Sequence, residues 1–145
     1  MAYTRGLDQA RFVSDGLVYD ATLRNLELME ERGVMAHAAR MGERLQSGLE
    51  RVREHPLVGN VRGESLIAGI EFVADRDTHE RFPAEDKIAF KAAAACLEEG
   101  LVVRALPGDT IAVCPPLIID DAQVDELVEK MLRGLNRLEK AAPAR

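Results

Sequence analysis

Gly100-Leu101-Val102-Val103-Arg104-Ala105-Leu106-Pro107-Gly108-Asp109-Thr110-Ile111-Ala112-Val113-Cys114-Pro115-Pro116-Leu117 is the stretch on which the fold turns. Two apolar runs flank a Pro-Gly-Asp turn, and a double proline closes the second run. Proline presets φ, glycine tolerates positive φ, and aspartate bonds locally to the backbone. The pattern predicts a β-hairpin with Arg104 at the end of its first strand. A charged side chain projecting from the mouth of a two-stranded element invites an anion. An edge arginine paired with one of the chain's many carboxylates would account for the same residue without a site.

On the C-terminal side, Asp120 can cap a helix, Gln123 can complete a capping box, and Ile119 can staple against Val124. Val124, Leu127, Val128, Met131, Leu135 and Leu138 then make a buried stripe. On the N-terminal side, Asp86 to Glu99 reads as an alanine-rich helix ended by Gly100. Ala74 to Pro83 is a polar loop in which Asp75, Arg76, Asp77 and His79 crowd together, and an exposed loop is expected there, not a metal site. Leu66 to Val73 reads as a buried strand whose Glu71 either pairs with Arg62 or faces water. Leu57 to Gly63 is extended, with glycines that suggest a bulge or close packing.

Pro56 ends a helix over about 34–54. Val34, Ala38, Met41, Leu45, Leu49 and Val52 form its apolar stripe, and Arg40, Glu43, Arg44, Glu50, Arg51 and Arg53 a solvated face laced with weak ion pairs. His37 and His55 bracket that helix and read as surface or capping residues, with no second ligand at a metal-like spacing. A first helix starts at Asp20, carries Leu23, Leu26 and Glu30 on one spacing, and stops at Gly33. Residues 1–20 have no clear period and read as a frayed or partly helical arm. The order helix, helix, strand, strand, helix, strand, strand, helix predicts one α+β domain. Its small, mainly antiparallel sheet would be covered by helices on one face.

A length of 145 residues with 47% apolar content supports a single packed core. The formal charge of −6, without a basic stripe, argues against nucleic acid and anionic membrane as partners. Cys96 and Cys114 have no paired spacing and read as small buried hydrophobes, neither disulfide nor metal ligands, which suits a cytoplasmic location. No signal-peptide pattern and no bilayer-length apolar run is found. Ser14, Ser47 and Ser65 lie in no nucleophile motif, and no phosphate-cradling loop is present. The acid pairs Glu30-Glu31, Glu98-Glu99 and Asp120-Asp121 sit at helix ends, where capping and solvation explain them. The residues by themselves show no catalytic machine.

His55-Pro56-Leu57-Val58-Gly59-Asn60-Val61-Arg62-Gly63, followed by Ala68-Gly69-Ile70-Glu71-Phe72-Val73-Ala74-Asp75, resembles the start of the small domain in class III pyridoxal-phosphate aminotransferases. Gly100 to Arg104, Gly108-Asp109 and Cys114 to Ile119 resemble that domain's last strand pair. Within the family the chain is most similar to the ω-amino-acid–pyruvate branch. Asn25-Leu26-Glu27-Leu28 is similar to the helix joining the large domain to the small one. The resemblance covers residues 21–139, leaving 1–20 as a divergent arm and 140–145 as a loose tail. It implies the C-terminal small domain of a fold-type I enzyme, with an amino group passing through pyridoxal 5'-phosphate to a keto acid such as pyruvate. It places Arg104 at the family's mobile substrate arginine, which grips the carboxylate of an amino or keto acid. The Pro107-Gly108 turn would allow that side chain to swing.

The departures set further expectations. The family's Schiff-base lysine belongs to the large domain, and Lys87, Lys91, Lys130 and Lys140 all fall on predicted helices among other charges. No catalytic residue is therefore expected here, and no cofactor bound to this chain. Where the family has Gly-His-Pro before the joining helix, this chain has Arg11-Phe12-Val13-Ser14-Asp15-Gly16. A carboxy-terminal fragment without its large domain is expected, inactive alone and a homo-oligomer through residues 1–33 and the covering helices. The rival expectation is a free-standing carboxylate-binding or oligomerisation module, in which Arg104 would serve too.

Overall fold

The computed structural model describes residues 20–141, and the chain divides into two compact units, residues 1–36 and 37–145. The expected arm over 1–20 and tail over 140–145 lie almost wholly outside the described residues. In the first unit, residues 20–31 form helix α1. Arg24 reaches Glu27 and Glu31, each at 3.0 Å, along one exposed face. The expected stop is present: Gly33 has φ +59° and its N–H donates to the Glu30 carbonyl at 3.0 Å.

The second unit is built on a four-stranded sheet. Its strands are β1 (Val58–Glu64), β2 (Ile67–Phe72), β3 (Arg104–Leu106) and β4 (Thr110–Val113), in the spatial order β1-β2-β4-β3. Every pairing is antiparallel. The helices are α2 (Val34–Arg53), α3 (Ile88–Glu98) and α4 (Asp121–Ala141). The α+β architecture expected from the sequence is the one observed.

Strand alternation divides the sheet into two unlike faces. Ala68, Ile70 and Phe72 of β2, with Ile111 and Val113 of β4, join the core. Against them lie Leu45, Leu49 and Val52 of α2, Ala89 and Ala92 of α3, and Met131 and Leu135 of α4. The register Arg62↔Gly69, Gly69↔Ala112 and Arg104↔Ala112 sends one cross-strand row to the other face.

The capping box of α4 is present in full. Asp120 Oδ1 accepts the Gln123 N–H at 2.8 Å, and Gln123 Oε1 accepts the Asp120 N–H at 3.1 Å. Ile119 and Val124 are both buried, as the staple requires. Helix α3 ends at Gly100 (φ +78°) in a Schellman arrangement. The Leu101 N–H donates to the Cys96 carbonyl and the Gly100 N–H to Leu97, both at 2.9 Å.

Four expectations need correction. Helix α3 begins at Ile88 and not at Asp86, because Ala84–Asp86 form a 3-10 turn and Lys87 takes the left-handed conformation at φ 48°. Lys87 is thus a turn residue before the helix. The charged side of α2 is not simply solvated. Arg44 grips Asp125 through Nε at 2.8 Å and Nη2 at 2.6 Å, and Arg51 reaches Glu129 at 2.6 Å, so this face braces α4. Cys114 is exposed, since it follows buried Val113 and alternation turns it away from the core. His55 is buried, not superficial, as described below.

Candidate functional site

The hairpin exists, but Arg104 occupies its other end. Arg104 opens β3 opposite Ala112, while the turn Pro107–Asp109 lies beyond Leu106. Residues 101–103 stay unpaired because β4 gives way to Cys114-Pro115-Pro116, and proline offers no N–H to a ladder. The turn is tied to β2 at one point, where the Asp109 carbonyl accepts the Phe72 N–H at 2.8 Å.

Among the described residues of the second unit, Arg104 is the one arginine whose side chain makes no hydrogen bond or ion pair. It is exposed on an edge strand, and the small residues Ala112 and Gly69 follow it across the sheet. At the far side of that row stands Arg62. Its Nη1 lies 3.2 Å from Glu71, which also meets Arg81 at 3.3 Å. The first alternative for Glu71 is the observed one. Sequence alone did not bring Arg62 and Arg104 into one row, since only the strand register does so.

Two residues before Arg104, Val102 is 83% exposed, and Ile118, after the double proline, is 75% exposed. Beside them a cleft of about 370 Å³ runs between Leu101, Val102, Cys114, Pro115 and α4 residues Gln123 and Lys130. Lys130 Nζ is held by Glu126 at 2.7 Å and lies 3.4 Å from the Gly100 carbonyl.

The other lysines are no better suited to act as amines. Lys91 sits 3.6 Å from Asp86, and Lys87, Lys91 and Lys140 are all exposed. A lysine that holds a carbonyl cofactor sits in apolar surroundings, whereas these are exposed or paired with a carboxylate. The four lysines do not fit the place of a cofactor-holding residue. Cys96 does not act as a thiolate either, since burial, with Glu99 nearby, pushes its thiol up to about 11. No group of three or more His, Cys, Asp or Glu side chains able to hold a metal exists among the described residues.

His37 and His55 serve the scaffold. His37 Nε2 lies 2.7 Å from the Ile119 carbonyl, so the proton is assigned to that nitrogen. His55 is 6% exposed, and its Nδ1 accepts the Leu57 N–H at 3.3 Å. Its Nε2 has no hydrogen-bond partner, and Glu139 stands 3.6 Å away. Burial lowers the His55 pKa, and the Glu139 carboxylate and Asn136 offset part of that shift. Unfolded, the ring takes its proton near the ordinary value of 6.5; folded, it does so at lower pH. The His55 contribution to stability is full above 6.5 and is lost as pH falls toward the folded value. Urea titrations between about pH 7.5 and about pH 5 should show this loss, and His55→Asn, which keeps an acceptor for Leu57, should flatten it. An unchanged slope in the variant would assign the pH dependence to other groups.

Comparison with known proteins gives the setting. The profile of the Aminotransferase class-III family matches residues 8–135. The chain is 37% identical over 123 residues to diaminobutyrate–2-oxoglutarate transaminase of Halomonas elongata, a match covering 83% of this chain and 26% of that protein. It is 38% identical over 125 residues to taurine–pyruvate aminotransferase of Rhodobacter capsulatus, covering 81% and 27% respectively. The crystal structure of the omega transaminase from Pseudomonas jessenii in complex with PMP is similar in fold. There the TM-score is 0.77 at 39% identity, covering 82% of this chain and 26% of that one. Such transaminases are of fold type I, and this chain spans only about a quarter of their length. A family match across most of the sequence, repeated at the level of fold, leads to one conclusion: the chain belongs to the class-III aminotransferases.

Proposed function

We propose that residues 21–139 are the C-terminal small domain of an aminotransferase that moves an amino group from an ω-amino acid or amine to pyruvate. The observation that carries this reading is Arg104, exposed and without a side-chain partner on the face of the sheet opposite the core. A planar guanidinium offers two parallel charge-assisted bonds to a carboxylate, which a lysine cannot match. The residues that follow Arg104 across the sheet, Ala112 and Gly69, are small. The apolar surface at Val102 and Ile118 suits closure by another domain, which would exclude water and strengthen the ion pair.

Class-III aminotransferases depend on pyridoxal phosphate, which supplies the electron sink for amino-group transfer when bound. In this reading the lysine that holds it lies in a large domain outside this chain. The role left to these residues is to grip and orient the acid through Arg104. The taurine–pyruvate relative supports a pyruvate acceptor, while the diaminobutyrate relative is named for 2-oxoglutarate.

Incubating the purified chain with pyridoxal phosphate and then borohydride should leave its mass at 16.0 kDa. A reduced adduct at one lysine would defeat this reading. Calorimetric titration with pyruvate separates it from a stand-alone carboxylate-binding module: saturable binding that disappears in Arg104→Ala would favour the module, and no binding is expected of a domain awaiting its larger half.

A further inference from the structure

We infer that the outer face of α3 is a self-complementary seam through which two copies of this chain pair, antiparallel, about a two-fold axis near Ala94. The inner face of α3 is accounted for: Ile88, Ala89, Ala92, Ala95 and Cys96 are buried. The outer face breaks the amphipathic rule. Phe90 is 63% exposed and Leu97 is 60% exposed, with exposed Ala94 between them. From Phe90 to Ala94 is four positions and from Ala94 to Leu97 is three, which is the spacing of a helix–helix seam. A methyl at the centre with a large apolar group at each end lets two helix backbones approach closely.

The charges choose the occupant. Lys91 and Glu98 flank the seam on one side, before and after Ala94. An antiparallel two-fold carries positions before Ala94 onto positions after it. Phe90 of one copy then meets Leu97 of the second copy, and Lys91 meets Glu98, each twice. A parallel two-fold would instead carry Lys91 and Glu98 of the second copy to the opposite flank of the seam, where neither meets its counterpart. Only a surface with this inverse order matches the face at every position, and a second copy of α3 has it. The existing neighbours do not prevent this. Lys91 to Asp86 at 3.6 Å and Glu98 to Arg137 at 3.2 Å are exposed pairs, weakly held and able to share a new partner. One helix face per copy is a small contact, so the pairing is reversible and concentration-dependent. It does not rest on the catalytic reading above.

Sedimentation equilibrium of the whole chain tests it. From about 10 µM to about 1 mM, the weight-average mass should climb from one chain toward two. Lys91→Glu and Glu98→Lys, each alone, place like charges across the axis and should stay monomeric over the same range. Mixed in equal amounts, the two variants restore unlike charges at both crossings and should associate as the parent does. Circular dichroism of each variant should match the parent, since both sites are exposed. A parent that stays monomeric overturns the proposal. So do single variants that associate like the parent, the outcome expected if the apolar surface around Val102 and Ile118 is what pairs.

Discussion

Phe72→Ala should lower the stability of this domain by about 3–5 kcal/mol, a large share of the roughly 5–15 kcal/mol that a folded protein holds in reserve. Phe72 ends β2, is fully buried, and is the largest of the fully buried side chains. It belongs to the layer where the sheet meets the helices, so its removal opens a cavity lined by several elements at once. The site collapses poorly because its backbone is tied on both sides. The Phe72 N–H donates to the Asp109 carbonyl at 2.8 Å, and Phe72 pairs with Val58 in the β1–β2 ladder. Urea unfolding followed by circular dichroism should show a midpoint shifted far down at unchanged slope. A loss below about 1 kcal/mol would mean that the cavity is filled by repacking and that the sheet is looser than its hydrogen bonds indicate.

Gly42→Ala is the second large effect, and its sign runs against helix propensity. Alanine in a helix interior is favoured over glycine by about 1 kcal/mol. Here a Cβ would stand 2.5 Å from Ser65 Cα and 2.7 Å from Ser65 C, both backbone atoms. Ser65 cannot easily retreat. It sits in the tight β1–β2 turn at φ 52°, and its carbonyl accepts from Gln46 Nε2 at 2.9 Å. The helix must therefore lift from the hairpin, and a net loss of about 2–3 kcal/mol is expected after the propensity gain. Gly48→Ala, on the same helix, supplies the control. Its new Cβ meets only the Val128 side chain, Cγ2 at 2.8 Å, so a smaller loss is expected from the same unfolding measurement. Equal losses in the two variants would refute the backbone clash as the cause.

The same close approach explains why part of this molecule was readable and part was not. Nothing in the local pattern marks Gly42 as a contact with Ser65, 23 residues away. The α3–α4 packing repeats the point: a Cβ on Gly134 would lie 3.0 Å from Cys96 Cα, although α3 reads as a helix from its alanines and α4 from its apolar stripe, each without the other. The capping box at Asp120 and Gln123 and the Schellman end at Gly100 were legible because every atom in them lies within six residues of sequence.

The candidate site divides in the same way. Arg104 was singled out by residue type and by resemblance, yet its place at the start of β3 follows from how far β4 can pair before its prolines. Cys114 and His55 were misjudged for related reasons. The side of the sheet on which Cys114 falls depends on register, and the burial of His55 depends on Glu139 and its helix, which lie 84 positions further on. The partners of Arg44 and Arg51 on α4 could not be read from α2 alone.

By itself, then, the sequence determined the helices, the strands, the hairpin at Pro107-Gly108-Asp109, the α+β class and, by resemblance, the family. Periods, caps and turn residues act over one or two turns of chain, and those forces are written in neighbouring residues. Only the tertiary structure decided the order β1-β2-β4-β3, the row that sets Arg62 and Arg104 on the face opposite the core, and the apolar outer side of α3. Those features depend on which strands pair and which faces remain uncovered, a competition among surfaces distant in sequence that no local pattern records.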